Sequence, residues 1–163
     1  MLRYIPPPFL EEAWGIVNPG LEKVKQHSFE DDFCEQIKAA LSTGVAHLFL
    51  AISETPPESG VVNDSYRAIS KTTPDSGVVN DSYRGFVVLR PEETLTGLRG
   101  LHIWAAYSEN SGLADRLAEV EQMAREGGFH QVSFSSSRKG WARRLKEYEP
   151  TYQIYRKVLS NGR

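Results

Sequence analysis

The side chains best suited to move a proton lie in the second half of the chain. His102 falls in a strand-like run, Leu101 to Tyr107, and alternation puts it on the same sheet face as Trp104. A histidine titrates near neutrality and suits general base work. Glu92 and Glu93 stand in the loop expected before that strand and are carboxylate candidates for the same task. Tyr148, at the end of a later helical stretch, offers a phenolic hydroxyl that can donate or accept a hydrogen bond. Each has a structural alternative: a satisfied core histidine, solvated carboxylates, and a packed tyrosine with a wet hydroxyl.

A second kind of chemistry follows the same strand. The turn from Ser108 to Gly112 links it to an amphipathic helix with Leu113, Leu117, Val120 and Ala124 on one face. Free backbone N–H groups and the helix dipole both point at such a turn, which makes it a ready anion site. Gly112 allows close approach of a phosphate to the backbone, and Ala114 leaves the helix start uncrowded.

Other reactive residue types read as structural. Cys34 sits on an apolar helical stripe beside Phe33 and reads as core. As the one cysteine, it excludes an internal disulfide and suits a reducing compartment. His47, His102 and His130 all fall on expected strands, but none has a paired metal-ligand spacing, so no metal is expected. Ser135, Ser136 and Ser137 read as a strand end and helix cap, and Trp141 as the apolar anchor of the helix that follows.

The elements that must position these residues are legible in order. Leu2 to Ile5 reads as a strand ended by Pro6, Pro7 and Pro8. A helix is expected from Pro8, with Phe9, Ala13, Ile16 and Val17 on its apolar side and a break at Asn18-Pro19-Gly20. Leu21 to Lys25 is expected to add another turn or two. Ser28, with Asp31 three residues on, is expected to cap a second helix whose stripe is Phe33, Ile37 and Leu41, with Gly44 as its stop. Val45 to Ile52 and Gly85 to Arg90 read as strands, and Pro91 to Gly100 as a connection. Leu101 to Tyr107, a helix to Gly127, and Phe129 to Ser135 follow. A helix from Ser137 to Tyr148 and a last strand from Thr151 to Leu159 complete the pattern. Helices interleaved with hairpin-linked strands give an α+β class on a mixed, mostly antiparallel sheet.

Between two of those strands lies a tandem duplication. Residues 51–67 and 68–84 match at 14 of 17 positions, differing at Glu54/Lys71, Pro56/Thr73 and Glu58/Asp75. Two copies cannot stack as a solenoid, which needs three or more. The unit is rich in Ser, Pro, Asn, Asp and Gly, so an antiparallel hairpin with a connection lengthened by one repeat is expected. The arm could serve a partner or a homodimer, or be a tolerated duplication or a second hairpin laid along the sheet edge.

Bulk composition excludes several classes. The 163 residues fit a single domain, 1–163, and 40% hydrophobic with 25% charged residues permits a packed core. No apolar run approaches the ~20 residues of a membrane helix. The start, MLRYIPPPF, lacks an apolar signal core, so a cytoplasmic protein is expected. From Arg138 to Arg163 eight Lys or Arg stand against two acids, a net +6 that leaves the rest of the chain at −8. That remainder argues against a broad nucleic-acid footprint.

Taken in this order, the strands, the turn Glu109-Asn110-Ser111-Gly112-Leu113-Ala114 and the helix resemble the GNAT superfamily, the Gcn5-related N-acetyltransferases. The resemblance spans nearly the whole chain and is strongest from Gly85 to Leu159. Ser137-Arg138-Lys139-Gly140-Trp141 and Tyr155-Arg156-Lys157-Val158-Leu159 look like short GNAT proteins of phages and prophages, which would place the protein in a host bacterial cytoplasm. The resemblance implies a three-layer fold with helices on both sheet faces. It implies acyl transfer from acetyl-CoA, or another acyl-CoA, to an amine of a small molecule or host protein. The CoA thioester would lie along Trp104, Ala105, Ala106 and Tyr107, in a slot opened by splaying from the next strand. Its pyrophosphate would meet Asn110, Ser111, Gly112, Leu113 and Ala114, with Arg138 as added positive charge. Attack on the thioester is direct, so Cys34 is not needed. Catalysis would fall to His102, Tyr148 and Glu93.

Glu109 departs from the family pattern, which has Arg or Gln there. Facing a pyrophosphate at ~4 Å and an effective dielectric of ~20, it would cost on the order of 4 kcal/mol; turned to solvent, screening removes most of that. The rival reading is a GNAT-fold protein without catalysis, acting as a protein-binding or virion-associated module.

Overall fold

The computed structural model describes residues 1–28, 31–53, 82–93, 97–109, 113–136 and 145–148. Five strands form one sheet in the order β1 (Leu2–Ile5), β2 (His47–Ser53), β3 (Ser82–Glu93), β4 (Arg99–Ser108) and β5 (Gln131–Phe134). β1 through β4 are antiparallel neighbours, and β5 lies parallel to β4. The sheet is therefore mixed, as the α+β reading requires.

Helices cover both faces. α1 (Leu10–Lys25) and α2 (Phe33–Ser42) pack on one face, where Val17, Leu21 and Ile37 meet Leu48, Phe86, Val88 and Ala105. α3 (Leu113–Glu126) packs on the other, where Leu117, Val120 and Ala124 meet Val87, Leu89, Leu101 and Ile103. The two faces divide β4 by alternation, so its direction and register determine what each helix sees.

Three boundaries differ from the sequence reading. α1 runs through Asn18-Pro19-Gly20 without a break, after a single 3₁₀ turn at Pro7–Phe9. Pro19 removes the hydrogen bond to the Gly15 carbonyl, but both residues lie on the exposed side, where water can serve that oxygen. Gly20 faces inward, and a β-carbon there would stand 2.8 Å from both the Phe86 and Tyr107 rings. Packing energy along the buried side of α1 outweighs the local breakers. Second, α2 starts at Phe33 with Asp32, rather than Ser28, at its N-cap, and Asp32 accepts a bond from the Gln36 side chain at 2.8 Å. Third, Glu92 and Glu93 belong to β3, opposite Gly100 and Arg99, not to a loop.

The antiparallel pairing of β2 with β3 agrees with the hairpin expected around the duplication. Residues 54–81, most of it, lie outside the described residues, as do the helix start after Ser137 and the strand expected at Thr151 to Leu159. Its two ends do not. Ala51, Ile52 and Ser53 open the first copy, Ser82, Tyr83 and Arg84 close the second, and Ile52 pairs with Tyr83 and Ser53 with Ser82. No described helix is long and apolar enough to cross a membrane.

Two tests follow from this ladder. The first copy also ends in Ser-Tyr-Arg, so deleting residues 68–84 returns the same three residues to the position before Gly85. The deleted protein is expected to unfold cooperatively in urea with stability within about 1 kcal/mol of the parent, because loop length enters only logarithmically. Loss of the cooperative transition would contradict the hairpin. Gly85 itself has φ +154°, and a β-carbon there would lie 2.1 Å from the Tyr107 carbonyl oxygen. Gly85→Ala is expected to lower stability by roughly 3 kcal/mol or more, read in the same denaturation.

Candidate active site

The candidate site is built on an irregularity in β4. Val88 pairs with Ala105 and Leu89 with Ile103, so Trp104 is one residue more than β3 can match. This β-bulge turns Trp104 and Ala105 toward the α1 face together. The Arg90 guanidinium lies over the Trp104 ring at 4.6 Å from its centroid, a cation–π contact that holds the ring on that face.

On its other edge β4 parts from β5 at the same level. The parallel ladder runs from Gly100 with Gln131 to Ile103 with Phe134 and stops. Beyond it, Trp104 to Tyr107 have no partner strand on that side among the described residues. With no described residue on that edge, its backbone groups are placed as an extended ligand that carries amides would need them. Ala105 and Ala106 keep the side-chain bulk here small. Ala105 also packs in the α1-side core and Ala106 against the α3-side core, so the structural account of these alanines holds as well.

At the last paired residues sits a polar cluster. Glu92 of β3, His102 of β4 and Ser133 of β5 all project to the α1 face. Nδ1 of His102 lies 2.8 Å from Oγ of Ser133, and that hydroxyl donates to Oε1 of Glu92 at 2.7 Å. Oε2 of Glu92 stands 3.9 Å from the same Nδ1. His102 is held below the usual histidine range, chiefly by burial; Glu92 opposes this and Arg90 adds to it. At neutral pH the ring is an uncharged base.

Tyr107 closes the far end of the parted strand. Its ring rests against Phe86, and its hydroxyl accepts a bond from Nζ of Lys23 on α1 at 2.9 Å. Lys23 is raised above the ordinary lysine value, first by this bond and then by the charges of Tyr107 and, less, of Glu109. Glu109 is exposed, and its backbone N–H donates to the Arg84 carbonyl at 3.0 Å. Its carboxylate thus acts on a lysine of α1, which offsets part of the charge it brings to the turn.

The other sequence candidates are distributed as follows. Leu113 and Ala114 open α3, while Asn110, Ser111, Gly112 and Arg138 lie outside the described residues. Glu93 is exposed opposite Arg99, one residue out of phase with the His102 cluster. Tyr148 lies on the α3 face, its ring against Phe134 and its hydroxyl donating to Oε1 of Glu121 at 2.8 Å. Burial and that carboxylate push its hydroxyl well above the usual tyrosine range. Cys34 is buried, and burial with a bond to Glu22 pushes its thiol up to about 11. It is a thiol at neutral pH, in keeping with a core role. His130 precedes β5 instead of lying within it, and among the described residues no three His, Cys, Asp or Glu gather as a metal site.

Sequence reasoning missed Ser133 and Lys23. Alternation placed Ser133 on a strand, but its meeting with His102 depends on the parallel register of β5, which leaves no local mark.

Solved structures share this architecture end to end. A probable acetyltransferase superposes with TM-score 0.61 at 14% identity, over 99% of each chain. Ribosomal-protein-alanine N-acetyltransferase from Brucella melitensis biovar Abortus 2308 does so with TM-score 0.56 at 16% identity, over 98% of this chain and 99% of that one. An aminoglycoside acetyltransferase from an uncultured soil metagenomic sample, solved in complex with sisomicin, gives TM-score 0.59 at 14% identity, over 98% and 96%. No protein-family model and no curated protein matches the sequence. At these identities the likeness is one of fold: the chain has the GNAT acetyltransferase fold.

Tyr148→Phe separates packing from proton transfer. It is expected to cost about 1–2 kcal/mol in urea denaturation through loss of the bond to Glu121, which a tyrosine held for packing predicts.

Proposed function

We propose that the protein is an acyl-CoA-dependent N-acyltransferase that transfers an acetyl or similar acyl group to an amine of a small molecule or protein. The observation that carries this reading is the parting of β4 from β5 directly beside a partly buried, neutral histidine. Acyl-CoA would supply a thioester carbonyl as the acyl donor. The open backbone edge of Trp104 to Tyr107 suits the amides of a pantetheine arm. The residues from Asn110 to Ala114 would take the pyrophosphate at the start of α3, with Arg138 as a further cation.

In this reading His102 accepts the proton that the amine loses as it attacks. The released thiolate needs one proton, so the overall reaction is proton-neutral. Tyr148, bonded to Glu121, and Glu93, out of phase with His102, take no part in the proton transfer proposed here. Phage encoding, a cytoplasmic setting and a homodimer belong to the same proposal and rest on the sequence patterns alone.

A second reading keeps the fold and drops the catalysis, leaving a partner-binding module. Glu109 favours it, since it puts a carboxylate where related proteins carry Arg or Gln.

Calorimetric titration with acetyl-CoA, followed by a thiol-release assay over a panel of amines, separates the two. Binding near 1:1 with amine-dependent release supports the enzyme. His102→Ala is then expected to lower kcat by about 10²–10⁴-fold while acetyl-CoA affinity is unchanged. No acetyl-CoA binding would overturn the enzyme reading in favour of the module. The pH profile has a defined sign: release holds across neutrality and falls as acid protonates His102, with a midpoint below 6.5.

A further inference from the structure

We propose that Ser133 and Glu92 are positioning residues that hold His102 in the Nδ1–H tautomer and so reserve Nε2 as its proton-accepting nitrogen. The argument is one of donor and acceptor counting. An ionised carboxylate only accepts hydrogen bonds. Glu92 takes its bond from the Ser133 hydroxyl at 2.7 Å, which uses that hydroxyl's one proton. The Ser133 oxygen can then only accept from His102, 2.8 Å away, so Nδ1 must carry hydrogen. In a neutral ring the lone pair is therefore on Nε2, which no described residue bonds.

The arrangement spans three adjacent strands and needs their register. His102 pairs with Ser133 one step before the ladder ends at Ile103 and Phe134. Glu92 reaches across from β3, two residues beyond the Arg90 that pairs with His102. The base is thus anchored at the point where the strands begin to part. When Nε2 takes a proton, Nδ1 keeps its own, and the imidazolium charge forms 3.9 Å from Oε2 of Glu92. Among the described residues the charges acting on the ring are those of Glu92 and Arg90, both from β3. What the proton comes from rests on the acyltransferase reading; the tautomer does not.

Long-range ¹H–¹⁵N NMR of the full-length, histidine-labelled protein reads the tautomer directly. The chain has four histidines, and His102→Gln identifies the signals. At pH 7.5, hydrogen on Nδ1 and a bare Nε2 are expected. Ser133→Ala removes the acceptor and should shift the ring toward Nε2–H, whereas Ser133→Thr keeps the hydroxyl and should restore the parent pattern. Glu92→Gln supplies donors as well as an acceptor, so it releases the constraint and both tautomers should be populated, while the His102 midpoint in an NMR titration falls as the negative charge is lost. Hydrogen on Nε2 in the parent, or no response to Ser133→Ala, overturns the proposal. The expected tautomer in a protein that releases no thiol from acetyl-CoA would sustain this inference and sink the acyltransferase reading. The reverse pair of results would do the opposite.

Discussion

Trp104 is one residue too many for the strand opposite, and much of the candidate site is organised around that surplus. A bulge bends its strand and increases the local twist. Here it falls next to the last pair that β4 makes with β5, Ile103 with Phe134. Before the bulge, β4 is a fully paired central strand, and His102 is pinned between β3 and β5. After it, β4 is paired on one side only among the described residues. The His102 cluster and a backbone edge with no described partner thereby come to lie within a few residues of each other on one strand. Sites carried on a sheet in this way hold their geometry better than sites carried on loops.

The open edge is held in place from the α1 face. Gly20 lets the helix settle onto the Phe86 and Tyr107 rings, and Lys23 ties the Tyr107 hydroxyl to the same helix. Gly85 lets β3 pass close to the Tyr107 carbonyl, at a backbone angle that side chains resist. Two glycines from separate elements thus converge on Tyr107, where a larger residue would push the strand away. Lys23 also moderates Glu109. The Glu109 carboxylate is exposed and stands within the field of a cation, where screening weakens its charge further.

The local patterns were largely readable in the sequence. Alternation identified β4, the 3.6-residue stripes identified α2 and α3, and the flanks of the duplication identified the β2–β3 pair. His102 was singled out by residue type and strand position, and Glu92 by its closeness to that strand. The reading failed where long-range packing outweighed a local signal. Asn18-Pro19-Gly20 is a strong breaker in isolation, yet α1 continues through it. The exposed Pro19 leaves its lost bond to water, and the buried Gly20 gains contact. Tyr148 looked available because a tyrosine near a helix end gives no sign of its partner. That partner is Glu121, on a helix 27 residues earlier.

Composition and periodicity alone determined the α+β class, the strand that carries His102 and the amphipathic helix α3. These are properties of short windows, in which the period of apolar residues and the backbone limits of Gly and Pro act directly. The tertiary structure decided that His102 meets Ser133 and Glu92, that Tyr107 meets Lys23, and that β4 leaves β5 at Trp104. Each depends on register between strands, or on which helix lies over which face. A one-residue slip would turn every one of those side chains to the opposite side of the sheet. The free energy that selects the register is spread over the two cores, and no single residue announces it.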